Sequence, residues 1–192
     1  MEKNSIKNDC QLVVIGGSAG SLDIILSLLP FLRPDLPFPI IIVLHRKTSI
    51  DSTLADLFAS KTTLCVKEAE DKDLLMPGNI YVAPADYHLL VEKDGTLSLD
   101  FSEKVNYSRP SIDVTFDTAA EAFKTKLVCL LLSGASSDGT EGLKVVKKYG
   151  GIVMVQNPET ARVAYMPEHA IADVEVDQVI DAEGLYDVIN SL

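Results

Sequence analysis

Three residues with the chemistry of a hydrolytic triad each follow a different apolar run of the sequence. His45 directly follows one run, and Ser18 and Asp138 lie in the loops after two others. A serine hydroxyl is a poor nucleophile at neutral pH, so it needs a neutral imidazole to take its proton. The imidazole in turn needs an acid that holds its tautomer and stabilises the imidazolium. We therefore predict Ser18 as nucleophile, His45 as base and Asp138 as acid.

The turn around Ser18 has the pattern of a nucleophile elbow. Residues 16–20 read GGSAG, which matches G-x-S-x-G between a predicted strand and a predicted helix. Small neighbours permit the strained turn, and the helix start offers N–H donors to an oxyanion. A glycine- and serine-rich turn before a helix is also compatible with phosphate binding. The dinucleotide fingerprint does not fit, because it requires glycine at the position of Ser18.

Each of the three residues also has a structural interpretation when it is taken alone. Asp138 would cap a helix, and a lone histidine such as His45 is more often structural than catalytic. We interpret His88, in a predicted hairpin, and His169, after Pro167, as structural. Isolated structural roles do not predict three reactive residues at three strand ends, whereas a shared site does. The chain order Ser, His, Asp differs from the Ser, Asp, His order of ordinary α/β-hydrolases.

The elements that must position these residues are buried parallel strands and helices. Continuous Val/Ile/Leu runs alternating with helical patterns predict an α/β fold, a doubly wound and mostly parallel sheet with helices on both faces. Ligands of such sheets bind at the carboxyl ends of the strands. The predicted strands are 11–15, 39–44, 127–132 and 151–155, and the predicted helices are 22–29, 112–123 and 142–149.

The middle of the chain has a different pattern. Residues 79–83, 87–92 and 96–99 are short alternating runs, and Lys93-Asp94-Gly95 is a hairpin turn signal. We expect these runs to form an antiparallel ribbon. The charged stretch 67–73 just before them is interpreted as a solvated turn.

Composition restricts the class of protein. A chain of 192 residues with 47% hydrophobic residues predicts one globular domain over 11–192 after a short polar segment, 1–10. That polar start is unlike a signal peptide, and no apolar run approaches the ~20 residues of a membrane helix, so we expect a soluble, cytoplasmic protein without membrane insertion. A net charge of -11 disfavours nucleic-acid binding. Cys10, Cys65 and Cys129 are too scattered to predict a disulfide or a metal site.

Longer motifs resemble the catalytic domain of the CheB-type chemotaxis methylesterases, from about Leu12 to Ile189. The resemblance depends on the turn at 16–21, on the segments 43–45 (VLH), 66–69 (VKEA), 77–84 (PGNIYVAP) and 109–113 (RPSID), and on 133–135 (SGA) through 138–139 (DG). It implies a Rossmann-like serine esterase without a cofactor, with its triad at Ser18, His45 and Asp138. It also implies hydrolysis of glutamyl methyl esters on the cytoplasmic helices of chemotaxis receptors, and in some members deamidation of glutamine.

Several positions depart from the pattern of that family. The family usually has threonine at Ala19, glycine at Ser21 and histidine at Ser108, and its Gly-Met-Gly loop is 134–136 (GAS) here. The resemblance implies that the backbone N–H at the position of the family's methionine, Ala135 here, donates to the oxyanion beside that of Ala19. A receiver domain usually precedes this domain, and about ten residues precede the first strand here. We expect constitutive activity or control by a separate response-regulator or receiver protein.

Two other functions compete with the esterase. An adaptor that keeps the fold and binds receptors or signalling partners without catalysis would fit the altered loops. A nucleotide-binding domain ranks third, because no Walker lysine follows the glycine-rich turn.

Overall fold

A parallel sheet of seven strands forms the centre of the protein. The computed structural model describes residues 9–46 and 54–192, so positions 1–8 of the predicted polar segment lie outside the described residues. Its strands are β1 (Leu12–Gly17), β2 (Ile40–Leu44), β3 (Cys65–Glu68), β4 (Asn79–Val82), β7 (Leu127–Leu131), β8 (Ile152–Gln156) and β9 (Gln178–Ile180). The sheet order is β3-β4-β2-β1-β7-β8-β9, and every neighbouring pair is parallel. The predicted fold class is confirmed.

Six helices cover the two faces of this sheet over the described residues. They are α1 (Ser21–Leu28), α2 (Leu54–Ala59), α3 (Ile112–Phe123), α4 (Thr140–Lys148), α5 (Tyr165–Asp173) and α6 (Leu185–Ser191). The bounds of α3 are those predicted. α1 ends in a short 3-10 turn over Leu29–Phe31, which contains the Pro30 expected to stop it. None of these helices is long and apolar enough to cross a membrane.

The core consists of two apolar layers, one on each face of the sheet. All six residues of β1 are buried. Val13 packs with Ile25 of α1 in one layer, and Val14 packs with Phe116 of α3 in the other. Strands that are apolar on both faces have no solvated side, which explains the continuous Val/Ile/Leu runs of the sequence.

The predicted antiparallel ribbon is correct in part. β5 (His88–Val91) and β6 (Leu97–Asp100) pair antiparallel around the predicted turn. The assignment of 79–83 to that ribbon is wrong, because Asn79–Val82 is a parallel strand between β2 and β3. Tyr81 made the segment look like an alternation of apolar and polar residues. Its ring is buried, however, and its hydroxyl donates to the Leu74 carbonyl oxygen at 2.7 Å.

The charged stretch 67–73 is also not entirely a turn. Lys67 and Glu68 belong to the edge strand β3, and the following residues are outside regular structure. Lys67 lies 3.2 Å from a carboxylate oxygen of Glu70 and 2.8 Å from one of Asp73. These charged side chains therefore form ion pairs at the surface, as expected for a solvated segment.

The direction of the sheet's connections reverses beside β1. β2 lies on one side of β1 and β7 on the other, so their carboxyl ends flank a crevice at the switch point. Gly17 is in register with Leu44 of β2, and Gly16 with Leu131 of β7. The loops that leave these three strands carry Ser18, His45 and Asp138.

Candidate active site

The turn that carries Ser18 is held by hydrogen bonds to the loop after β7. The Ser18 N–H donates to the Ser133 carbonyl oxygen at 2.9 Å and to Ser21 Oγ at 3.1 Å. Ser21 Oγ donates to the same Ser133 oxygen at 2.6 Å. Gly20 has a φ of 87°, a left-handed conformation that favours glycine. The elbow is therefore fixed by its backbone and by the buried hydroxyl of Ser21.

Gly134 brings the loop after β7 against the side chain of Ser18. A Cβ atom added at Gly134 would lie 3.1 Å from Ser18 Cβ and 2.5 Å from Met166 Cε. No larger residue fits there without displacing a neighbour. The absence of a side chain at Gly134 thus permits the close approach of two strand ends that are far apart in sequence.

His45 and Asp138 are joined by a short, buried hydrogen bond. His45 Nε2 lies 2.6 Å from Asp138 Oδ2, and the side chains are 13% and 0% exposed. Since an ionised carboxylate only accepts hydrogen bonds, Nε2 carries a proton and Nδ1 of the neutral ring is the unprotonated nitrogen that can act as a base. The Ser108 hydroxyl lies 3.4 Å from Nδ1, on the side of the ring away from Asp138.

Ser18 and His45 are neighbours across the strand ends. The His45 N–H donates to the Gly17 carbonyl oxygen at 3.2 Å, which places the histidine backbone beside the residue that precedes Ser18. Over residues 9–46 and 54–192, no hydrogen bond joins the Ser18 hydroxyl to the imidazole. The structure therefore brings His45 and Asp138 into contact and leaves Ser18 next to them without a bond to the ring.

The Asp138 carboxylate lies at the N-terminus of α3. It accepts hydrogen bonds from Ser111 Oγ at 2.8 Å, from the Ile112 N–H at 2.7 Å and from the Asp113 N–H at 3.2 Å. Burial alone would raise the pKa of Asp138, but the bonds from His45, Ile112 and Asn106 outweigh it and lower the pKa to about 2. The group is ionised at neutral pH, and it is at once a helix cap and the partner of His45.

A second buried carboxylate, Asp113, caps the start of α4. It accepts the Gly139 N–H at 2.9 Å and the Gly142 N–H at 2.7 Å. Burial raises its pKa to about 6, and the neighbouring charge of Asp138 adds to the shift. Sequence reasoning gave Asp113 no role beyond its place in the RPSID segment. An acidic residue in the first turn of α3 was the only sequence signal for a capping role. It could not reveal the cap on α4, because the N–H groups that Asp113 accepts lie 26 and 29 residues away in the chain.

The two backbone N–H groups expected at the oxyanion have no partner over the described residues. Ala19 and Ala135 are exposed, and neither N–H group donates to a carbonyl or a side chain there. Ala19 directly follows Ser18, and Ala135 directly follows Gly134, whose backbone closely approaches the Ser18 side chain. Unpaired N–H groups beside a nucleophile are what an oxyanion hole requires.

The other two histidines make structural contacts. His88 is buried, its Nδ1 accepts the Ser111 N–H at 3.2 Å, and its Nε2 lies 3.0 Å from the Glu103 carbonyl oxygen. His169 Nδ1 lies 3.3 Å from Thr140 Oγ1. His88 thereby ties the hairpin to the residue that precedes α3, which supports the structural interpretation.

Comparison with known proteins gives one consistent family. The family model described as CheB methylesterase matches residues 13–189. A protein of Leptospira interrogans is 44% identical over 173 residues, which are 90% of each chain. The protein-glutamate methylesterase/protein-glutamine glutaminase of Thermotoga maritima is 41% identical over 90% of this chain and 51% of its own.

The fold agrees with a solved structure of the same kind. The crystal structure of the Thermotoga maritima CheB methylesterase catalytic domain superposes with a TM-score of 0.90 at 37% identity, and the match covers 95% of this chain and 99% of that one. The chain thus spans about half of the full-length Thermotoga relative and nearly all of its catalytic domain.

Proposed function

Since this chain belongs to the CheB methylesterase family of hydrolases, we propose that it hydrolyses glutamate methyl esters on the cytoplasmic helices of chemotaxis receptors. Deamidation of receptor glutamine is the second reaction of the proposal, because the same acyl chemistry applies to an amide. The observation that carries the proposal is the 2.6 Å bond between His45 Nε2 and Asp138 Oδ2 at the strand ends beside Ser18. Action on these helices places the protein in the cytoplasm.

The first half of the reaction forms an acyl-enzyme. Ser18 Oγ attacks the ester carbonyl while His45 Nδ1 takes the hydroxyl proton, and Asp138 stabilises the imidazolium that results. No hydrogen bond to a described residue holds the Ser18 hydroxyl, and in the proposed reaction Ser18 Oγ takes the place of the Ser108 hydroxyl at Nδ1. Bonds of this kind are often loose in unliganded sites.

The first half ends when His45 returns its proton to the methoxy oxygen and methanol departs, which leaves the acyl-enzyme. In the second half His45 takes a proton from a water molecule as its oxygen attacks the acyl carbonyl, and the proton then passes to Ser18 Oγ as the glutamate carboxylate is released. The N–H groups of Ala19 and Ala135 bind the oxyanion in both halves. Each oxyanion donor typically supplies ~3 kcal/mol of transition-state stabilisation, and alanine at position 135 keeps the backbone N–H that this role needs.

We infer that residues 11–192 form one catalytic domain. The family match at 13–189 and the two core layers that share a single sheet support this assignment. The site uses the carboxyl ends of β1, β2 and β7, all within that sheet.

Labelling with a serine-directed fluorophosphonate tests the nucleophile. We expect the probe to attach to Ser18, and we expect Ser18→Ala to lower methanol release from a methylated receptor fragment by several orders of magnitude. Ser27→Ala is the matched control, since that hydroxyl bonds only to the Ile24 carbonyl oxygen of its own helix, over the described residues. Folded protein that neither binds the probe nor releases methanol would favour the non-catalytic adaptor instead.

A further inference from the structure

Asn106 connects the two buried carboxylates of the site. It lies between β6 and α3, and its Nδ2 donates to Asp113 Oδ2 at 2.7 Å and to Asp138 Oδ1 at 3.0 Å. An amide nitrogen carries two hydrogens and accepts none. Both hydrogens are therefore used, one on each carboxylate.

We propose that Asn106 is a positioning residue for the hydrolysis, which bridges Asp113 and Asp138 and keeps the Asp138 carboxylate directed at His45. This inference rests on the proposed triad and adds a residue to it. Asn106 acts through Asp138 and is not itself assigned a contact with the substrate.

The Asn106 amide reduces the repulsion between the Asp113 and Asp138 carboxylates by donating a hydrogen bond to each of them. Two carboxylates in one buried pocket cannot both be ionised cheaply, and one of them tends to hold a proton. Three kinds of group meet at Asp138: the imidazole at the end of β2, the backbone and hydroxyl donors of α3, and the Asn106 amide. Asp113 receives fewer donors, namely Asn106 and two backbone N–H groups, and is the member whose pKa is raised.

Loss of the bridge would change the partner that Asp138 faces. Asp113 already lies within hydrogen-bond reach of Asp138, so without the competing Asn106 amide a proton on Asp113 would bind Asp138 Oδ1 more strongly and withdraw charge from the carboxylate. His45 Nε2–H would then have a weaker acceptor, and the tautomer that leaves Nδ1 free would be less strongly favoured. The expected defect is thus in turnover, with substrate binding nearly unchanged.

The backbone at Asn106 decides which variant is informative. Its φ is 51°, a conformation that asparagine and glycine tolerate better than alanine. Asn106→Gly removes the amide without adding backbone strain. We expect kcat for a peptide bearing a glutamate methyl ester to fall about tenfold at unchanged KM, the effect of losing one hydrogen bond to a charged group.

A second substitution separates positioning from stability. Asp113→Asn keeps an oxygen for Gly139 and Gly142 but turns an NH₂ group toward Asn106 Nδ2, so donor faces donor. The double variant Asn106→Gly/Asp113→Asn lacks the Asn106 amide, so two N–H donors no longer face each other. The side-chain amide introduced at position 113 then supplies an uncharged hydrogen-bond donor to the pocket. We expect the double variant to have a higher kcat than either single variant; a double variant no better than Asn106→Gly would overturn the proposal.

The tautomer of His45 gives a readout that is independent of activity. ¹⁵N NMR of the ring should show the Nε2–H form in the natural protein and a mixture in Asn106→Gly. Asn190→Ala is the matched control, because Asn190 also makes two hydrogen bonds, to Phe31 and Arg33, away from the site. It should lower thermal stability without changing kcat or the ring signals.

The parallel Ser18→Ala sample distinguishes the two possible failures. Full hydrolysis by Ser18→Ala would overturn the proposed function, while the NMR comparison would still decide whether Asn106 controls His45. An inactive Ser18→Ala variant together with natural kcat and unchanged ring signals in Asn106→Gly would overturn only the role of Asn106.

Discussion

His45 Nε2 lies 2.6 Å from Asp138 Oδ2, although 93 positions of the chain separate the two residues. Two strand ends, one on each side of β1, bring them together. The bond defines which ring nitrogen is protonated, and so it defines the direction in which a proton can move. The predictions that follow test this bond and the groups that hold it.

Asp138→Asn should abolish most of the activity while the fold persists. The asparagine amide would meet Nε2 as a donor, so the imidazole would have to adopt the opposite tautomer and lose its base at Nδ1. We expect kcat to fall by roughly 10⁴-fold. The measurement is methanol release, with near-UV circular dichroism as the check on folding; a variant within tenfold of the natural kcat would contradict the role of Asp138.

Ser21→Ala should act mainly on stability. It removes the hydroxyl that accepts the Ser18 N–H and donates to the Ser133 oxygen, both in the buried elbow. We expect the free energy of unfolding to fall by about 1–2 kcal/mol in urea titrations. The exposed Ser27→Ala change on the same helix should cost less than about 0.5 kcal/mol. Equal losses in the two variants would show that the Ser21 bonds do not stabilise the elbow.

Gly134→Ala should reduce activity more than stability. The added methyl would meet the flexible end of Met166, which can move, and Ser18 Cβ at 3.1 Å, which is held by the elbow's backbone bonds. Displacing the nucleophile by a few tenths of an ångström should lower kcat about tenfold. Gly184→Ala is the control, since its added methyl would lie 3.8 Å from the nearest atom. Natural activity in Gly134→Ala would show that the contact with Ser18 is not critical.

Stability should depend on pH through Asp113. Its pKa is raised to about 6 by burial and by Asp138, so between about pH 4 and 6 the folded state binds more protons than the unfolded state. The stabilisation from this group is complete below about pH 4 and is lost as the pH rises through 6, by an amount on the order of 2 kcal/mol.

Urea titrations of Asp113→Asn across that range measure the contribution. The fall in the free energy of unfolding between pH 4 and 6 should be smaller in the variant than in the natural protein, whatever its absolute stability. Asp187→Asn, a change on the exposed side of α6, controls for net charge. An unchanged slope in Asp113→Asn would show that Asp113 does not bind the proton.

The sequence was sufficient for the fold class and for placing Ser18, His45 and Asp138 just after three strands, because buried parallel strands have continuous apolar runs. β1, β2, β7 and β8 were predicted to within about two residues of their observed bounds. The edge strands were not predicted, since Cys65–Glu68 and Gln178–Ile180 are short and partly exposed, with little apolar pattern to detect. Asn79–Val82 was assigned to the wrong sheet for a related reason: the polar end of Tyr81 made a buried strand look half exposed.

The supporting residues of the site could not be predicted in the same way. Ser21, Asn106 and Asp113 act on backbone groups or carboxylates that only the folded chain brings within reach. Asn106 and Asp138, for example, are 32 positions apart. No local pattern marks an asparagine in an exposed loop as the bridge between two buried acids.

The structural roles of Asp113 and Asp138 determine which residues of the site could be lost in evolution without loss of the fold. Asp138 and Asp113 each hold the first turn of a helix, so a lineage that abandoned the reaction would still need both of them. The Ser18 hydroxyl has no such structural role, because it makes no hydrogen bond to the described residues. Under the proposed mechanism, loss of the serine in descendants of this protein would mark a change from hydrolysis to binding alone, whereas a retained aspartate would carry no such information.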